Sequence, residues 1–515
     1  MRATGLLLFA SLALAWPSCA RAAALQISAY DGAGQALGAA EFLSYISRAD
    51  RKNASPERMA LVLIQPDGAQ WVRPALSGSS RTITLSWERL NRVSISVAWP
   101  ISGGGFSTLW ADKEGRGYSD GENILLNEEL AVTQYRLFKE AWQRHISEMD
   151  PVYAPSRETR KLADETLALM KEAHAAQSGP SRAAGFDKAL QAVSRTWEKM
   201  LVEHGRQIAR HPRRGSSLRF GLTLDESLLK RLDHYPWIIQ SVKRSGAGWV
   251  RLVFRSNPSD FAYARQRSFN EYDGLVAALK ASGLQIMGCA LDTAQWPSQL
   301  TPEFYGERVK NLVLHYRGSI SSWEVGSEIN GDWLGGLSSP LPSDKVFRIY
   351  SAGVSAVKSV DPSLETVATL YWWENTAPDH EHSLFGWLKR FVPQGFGKDL
   401  DVLGLSLETQ DNPLGLALEP VFESLRQTLP SQKLMVGSLS HGDGNELRGY
   451  WWLDPSDIEA SRTDLISLNT PAACALRGSI GGGFWWHTLG QMLPSKRKAA
   501  EPYRAYRHAL KQLGR

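Results

Sequence analysis

The sequence predicts an α/β fold, a (β/α)8 barrel of the TIM class in the C-terminal part, preceded by a small β-sandwich-like module and a helical connector. Three observations lead there. From residue 218 onward, short apolar strands alternate strictly with amphipathic helices. Eight such strands fall within about 300 residues, the count and length of a closed parallel barrel. No Gly-x-Gly-x-x-Gly opens the first helix and no Walker-type loop is present, which argues against a doubly wound nucleotide-binding sheet.

Residues 1–24 read as a leader outside the fold. Met1-Arg2 is a positive start, Leu6 to Trp16 an apolar run, and Ala20-Arg21-Ala22 a small-x-small cleavage site. The run is short for a bilayer span, so the expectation is export, to the periplasm or beyond. Cys19 follows Trp16-Pro17-Ser18 and lacks the setting of a lipid anchor. No later stretch reaches transmembrane length.

Residues 25–125 read as β structure. Alternation runs through 81–87 and 93–99, and Pro66-Asp67-Gly68 is a hairpin turn. Residues 126–217 read as helical. Asn127 is the expected N-cap, with Glu128 and Glu129 in the first turn and apolar spacing through Trp142. A second helix is expected over 156–175, a break at Gly179-Pro180-Ser181, and a third helix over 186–208. His211 to Ser217 is a polar linker. Residues 218–515 form the barrel, with strands expected at 218–224, 249–254, 284–291, 321–326, 366–371, 402–407, 433–438 and 480–486.

Composition narrows the function. The net charge of +5 is small for 515 residues, and Lys and Arg are scattered, so nucleic acid is not a partner to expect. Cys289 and Cys474 remain after the leader. Buried free thiols are the preferred reading, although an exported chain can pair two such residues. Asp379-His-Glu-His382 looks metal-like, but histidines two apart do not share a helix face, so an exposed loop is expected, with no metal and no cofactor. The chain holds 19 Trp, including the pairs Trp372-Trp373, Trp451-Trp452 and Trp485-Trp486. Indole faces stack well on the C–H face of a sugar. Packing explains Trp323 and Trp249 inside apolar strands, but indoles at strand ends are less easily assigned to the core.

The most informative segment is Trp323-Glu-Val-Gly-Ser-Glu-Ile-Asn330, a buried strand ending in polar and small residues. Glu328 would project from its carboxyl end, where barrel enzymes place their chemistry. Gln295-Trp296-Pro297 lies after the preceding strand, Ala356 to Ser363 before the following one, and Gly248-Trp-Val-Arg251 in the second. Together these pieces resemble the retaining clan A glycoside hydrolases of the xylosidase, mannanase and cellulase kind, over roughly residues 218 to 510.

The resemblance implies that Glu328 is the general acid/base, that Arg251 supports the catalytic pocket, that Trp296 belongs to the loop after strand three, and that one of Trp485 and Trp486 floors the sugar; Tyr371 and Trp372 at the end of strand five and His441 after strand seven are further pocket candidates by position. It also exposes two departures. Ser327 stands where the family has an Asn that bonds the sugar. On strand seven, Lys433 to Leu439 puts Leu439 where the nucleophilic Glu belongs, and leucine cannot form a glycosyl intermediate. Glu408, ending strand six, is the expected second carboxylate, with Asp443 and Glu446 as further candidates; Glu374 after strand five is a lesser pocket candidate. Two functions follow: a hydrolase of a β-linked oligo- or polysaccharide, or a degenerate barrel that binds glycan without cutting it, for example in exopolysaccharide assembly or export.

Overall fold

Two four-stranded sheets precede the barrel in the computed structural model, which describes residues 22–47, 59–68, 70–79, 81–101, 106–177, 179–225, 227–228, 234–255, 269–336, 338–442, 457–494 and 499–515. Residues 1–21, Asp443, Glu446 and Trp451-Trp452 lie outside these residues, whereas Ala23 and Ala24, placed in the leader by the sequence, stand in the first strand opposite Trp87 and Ser86. The elements are β1 (Ala23–Ser28), α1 (Ala39–Tyr45), β2 (Leu61–Ile64), β3 (Trp71–Val72), β4 (Ala75–Gly78), β5 (Ile83–Trp87), β6 (Ser94–Pro100), β7 (Phe106–Ala111) and β8 (Asn123–Leu125). One sheet runs β4-β5-β1-β8, the other β3-β2-β6-β7. Alternating residues Leu25, Ile27, Ile83 and Leu85 share a core with Leu61, Leu63, Ile95 and Val97. The β2–β3 turn closes through the Gly68 N–H on the Gln65 carbonyl at 2.7 Å, with Gly68 at φ 68°.

A half-solvated strand would leave one face of β6 exposed. Here Ser94 to Trp99 are all buried. The outer face is covered by the loops after barrel strands five and six. Arg73 donates to the carbonyls of Asn375 (3.4 Å) and Ala377, Thr108 to that of Pro413 (2.6 Å), and the Leu416 N–H reaches Ser107 Oγ at 2.8 Å. Val62 and Trp71 pack with Tyr371, Trp373 and Ala377. The module is therefore seated on the carboxyl-end rim of the barrel.

The connector is α2 (Leu126–Ser147), α3 (Arg157–Ala175) and α4 (Gly179–Arg210), followed by a short α5 (Pro212–Gly215). Ser156 caps α3 by accepting from the Thr159 N–H. Asn127 is not the N-cap expected. Leu125 holds that position, and Asn127 instead exchanges bonds with the Tyr30 backbone and donates to Asp187, tying the connector to the module. The Gly-Pro-Ser segment opens α4 rather than merely separating two helices, because proline suits a first turn. At the far end of α2 and α4, Glu419 of the barrel lies buried. It accepts from Trp197 Nε1 (2.7 Å) and Arg144 (3.0 Å) and contacts His145 Nε2 (3.1 Å). His145 Nδ1 lies 2.6 Å from His204 Nδ1.

Among the described residues the barrel alternates strand and helix: β9 (Gly221–Leu224), α6 (Tyr235–Arg244), β10 (Trp249–Val253), α7 (Asp273–Ala281), β11 (Gln285–Cys289), α8 (Pro302–His315), β12 (Ser322–Gly326), α9 (Ser343–Val360), β13 (Glu365–Tyr371), α10 (Leu384–Phe391), β14 (Val402–Glu408), α11 (Leu418–Thr428), β15 (Lys433–Ser440), α12 (Ile458–Ala475), β16 (Ser479–Gly482) and α13 (Glu501–Gln512). All neighbours are parallel and in sequence order. The sheet closes where Arg219 and Leu222 bridge Gly481 and Trp485. Gly481, Gly482 and Gly483 all have positive φ, and a Cβ on Gly482 would lie 2.1 Å from the Val436 carbonyl. The triple glycine is thus a backbone requirement of closure. Among the described residues no helix is long and apolar enough to cross a membrane.

Candidate active site

Side chains inside the barrel form layers, because alternate residues of each strand face inward. The lowest is apolar: Met287, Val367, Val402, Met435, Ile480 and Phe484. Above it lies a charge pair with no exposed surface, Arg251 and Glu324. Arg251 Nε sits 2.6 Å from Glu324 Oε2, and Thr369 Oγ1 donates to Glu324 Oε1 at 2.6 Å. Arg251 also approaches Ser327 Oγ at 3.3 Å, and its guanidinium lies 4.8 Å from the Trp486 ring centre. Arg251 thus pairs with Glu324, leaving Glu328 free of a direct ion pair with it among the described residues.

Glu328 follows an irregularity in β12 between Glu324 and Gly326 and adopts φ 56°, a left-handed conformation that strains a glutamate. Its neighbours hold it there. The Gly331 N–H bonds its carbonyl at 3.0 Å, Ile329 N–H bonds the Thr369 carbonyl at 3.3 Å, and Thr293 Oγ1 bonds the Ser327 carbonyl at 2.5 Å. The carboxylate accepts a short hydrogen bond from Ser406 on β14. The residue keeps some exposure to the mouth while its carboxyl is closely packed. Burial, and then the charge of Glu408, push its pKa up to about 8. Asp292, the N-cap after β11, adds to this from the other side. Burial raises Asp292 as well, and Arg255 lies between it and Asp225, 3.9 Å and 3.4 Å from the two.

Glu408 ends β14 on the same face as Ser406, and Gln410 Nε2 donates to it at 3.0 Å. Strand seven differs from the reading by sequence alone. The β14–β15 register shifts after Leu405–Val436, so that Ser406 pairs with Ser438, Leu407 with Leu439 and Glu408 with Ser440. Leu407 and Leu439 both join the outer core against the helices. Leu439 therefore does not occupy a nucleophile position, and Ser438 and Ser440 face inward. Among the described residues no carboxylate stands on the inner face of β15.

The other selected residues divide. Trp486 is part-exposed at the mouth. Trp485 is fully buried, its Nε1 bonded to Gln491 Oε1 at 3.1 Å. Trp296 packs against Tyr305, and Trp372 belongs to the outer core. Tyr371 meets the mouth, its hydroxyl accepting from Asn412 at 2.8 Å, but its ring packs on Trp333 and Trp373. Glu374 is buried with one oxygen unpartnered among the described residues, and burial pushes it up to about 8. His441 is buried, with Nδ1 2.8 Å from the Gly442 carbonyl. His382 pairs with Asp379, and no metal-type cluster occurs among the described residues. Both cysteines are free and buried.

Sequence reasoning missed Ser406 and Asp292. Ser406 lies 78 residues from its partner, and only the strand end beside Asp292 signalled it. The open clefts, one of about 820 Å³ beside Arg462 and His487 and one of about 640 Å³ between β2 and α10–α11, do not include Glu328. The segments that follow β9, β10 and β15 lie partly outside the described residues, so the chemistry of the carboxyls locates the site better than these clefts do.

No family model matches the sequence and no curated protein is similar to it. Among solved structures, xylanase 10B from Thermotoga petrophila RKU-1 is similar at TM-score 0.40 and 11% identity, over 59% of this chain and 96% of that one. A GH10 endoxylanase from a sugarcane soil metagenome gives 0.41 and 12%, over 57% and 98%. A fungal β-1,4-galactanase gives 0.40 and 16%, over 56% and 98%. The C-terminal part is a (β/α)8 barrel, an assignment that rests on the closed parallel sheet itself.

Proposed function

We propose that the chain is an exported glycoside hydrolase acting on a β-linked polysaccharide, with Glu328 as general acid/base and Glu408 as the second carboxylate. The observation that carries this is a closely packed Glu328 at the carboxyl end of β12, kept protonated near neutrality by burial and by Glu408. A neutral carboxyl can protonate the departing glycosidic oxygen, and a neighbouring carboxylate can serve the opposite face of the sugar. Trp486, with Arg251 beneath it, offers the stacking floor. Export is supported by the leader pattern of residues 1–24. Neither step requires a cofactor.

The test is reducing-end release from β-1,4- and β-1,3-linked hexaoses of glucose, xylose, mannose and galactose. E328Q and E408Q should each lose at least about a hundredfold in kcat with the fold intact. Full activity in E328Q would end the assignment. A second reading, glycan binding without cleavage, is favoured by the serines on β15. It predicts hexaose binding with no turnover.

A further inference from the structure

The chain that leaves Glu408 is fixed at both ends of its turn. The Asp411 and Asn412 N–H groups bond the Glu408 carbonyl at 3.2 Å and 2.9 Å, and Gln410 Nε2 is the one hydrogen-bond donor to its carboxyl among the described residues. Gln410 and Asn412 are buried, whereas Glu408 keeps access to the mouth. Asn412 ties the turn to strand five, accepting from Thr376 and donating to the Tyr371 hydroxyl at 2.8 Å. The other end is held by β7 of the module. Thr108 Oγ1 donates to the Pro413 carbonyl at 2.6 Å and Ser107 Oγ accepts from the Leu416 N–H at 2.8 Å, both side chains being buried. Neighbouring strand residues point to opposite faces, and β7 ends its sheet, so the loop is gripped from both faces of an edge strand. Gly415, at φ 53°, permits the close approach, since a Cβ there would lie 2.2 Å from Ser107 Oγ.

We propose that the β module is a fixed wall of the catalytic mouth, and that Ser107 and Thr108 are positioning residues that set the Glu408 carboxylate through the 409–416 loop. This rests on the hydrolase reading above and gives the module a part in it. A reacting carboxylate has to be held to about 0.5 Å. With a single side-chain donor, Glu408 takes its place from the backbone of its own turn, and the anchors of that turn lie on strand five and in the module. A module that served only to bind glycan could be loosened without effect on the bond-breaking step.

The experiment measures initial rates of the full chain on the hexaose panel, with melting followed in parallel. T108V keeps the shape of the side chain and removes its donor; kcat should fall about tenfold with KM within twofold, since a misplacement of about 1 Å costs up to a hundredfold. T108S, which keeps the hydroxyl, should recover most of the loss. The basic limb of kcat/KM should also move to lower pH in T108V, because the charge of Glu408 helps to hold Glu328 up at about 8. S107A, which leaves Thr108 in place, is read in the same way should T108V not fold. A folded T108V or S107A with unchanged kcat and an unmoved basic limb overturns the inference and leaves the hydrolase reading standing, whatever the change in melting. No turnover of any hexaose by the wild-type chain overturns both.

Discussion

Replacing Glu419 by Gln tests the junction between connector and barrel. Glu419 is buried, and although burial raises its pKa, His145, Arg144 and the Trp197 N–H together hold it at about 2 against an ordinary 4.5. A carboxylate whose folded pKa is depressed adds stability above its unfolded pKa and loses it as pH falls through the folded one. Moving the carboxyl from about 4.5 to about 2 is worth about 3 kcal/mol at pH 7. The same linkage leaves about 1 kcal/mol at pH 3. His204, lowered to about 4 by burial and by His145, adds loss in the same direction as pH falls below about 6.5. Calorimetric melting of wild type and E419Q should therefore differ by several degrees at pH 7, with the gap holding to about pH 5 and narrowing from there toward pH 3. Equal melting at pH 7, or a gap that does not shrink on acidification, would refute the reasoning.

Glu328 has the opposite sign. Its folded pKa is raised, so its ionisation costs stability as pH climbs from about 4.5 past about 8; E328Q should melt like wild type at pH 4.5 and above it at pH 9. E324Q removes one partner of the unexposed Arg251 pair and should cost about 3–5 kcal/mol in denaturant unfolding, whereas an unchanged midpoint would mean the pair is solvated. R73A removes the charged donor that binds the Asn375 and Ala377 carbonyls; limited proteolysis should then cut the barrel loop at 372–383 faster than in wild type, by the factor expected for about 1.5–3 kcal/mol.

The barrel could be read from the chain because strand and helix periods differ and because Trp323 to Asn330 places a carboxylate at a strand end. The sequence pattern puts strand seven out of phase because Gly437 is left out of the pairing as an extra residue, and one residue of slip exchanges inner and outer faces. That slip turned Leu439 into an apparent replacement for a nucleophile. The Ser406 contact was hidden by distance along the chain. The alternation of 93–99 puts Ser94, Ser96 and Ala98 on one face, where small residues suit both water and a close backbone approach, and only the barrel loops distinguish the two.

The length of α4 has a topological meaning. The module rests on the rim where strands end, but a barrel must be entered from the opposite side, where strands begin. The chain therefore has to travel the full height of the molecule between leaving one and starting the other. A helix of 32 residues is about 48 Å long, whereas a seven-residue strand such as β14 reaches about 23 Å. Its first residue lies beside Tyr30 of the module, and its last side chain bonds the Gln512 carbonyl near the chain's end. The helix acts as a ruler: insertions or deletions within it would lift the module from its seat or tilt it over the mouth, so natural variation in its length should come in whole turns matched by compensating changes in the loops at 372–383 and 409–417.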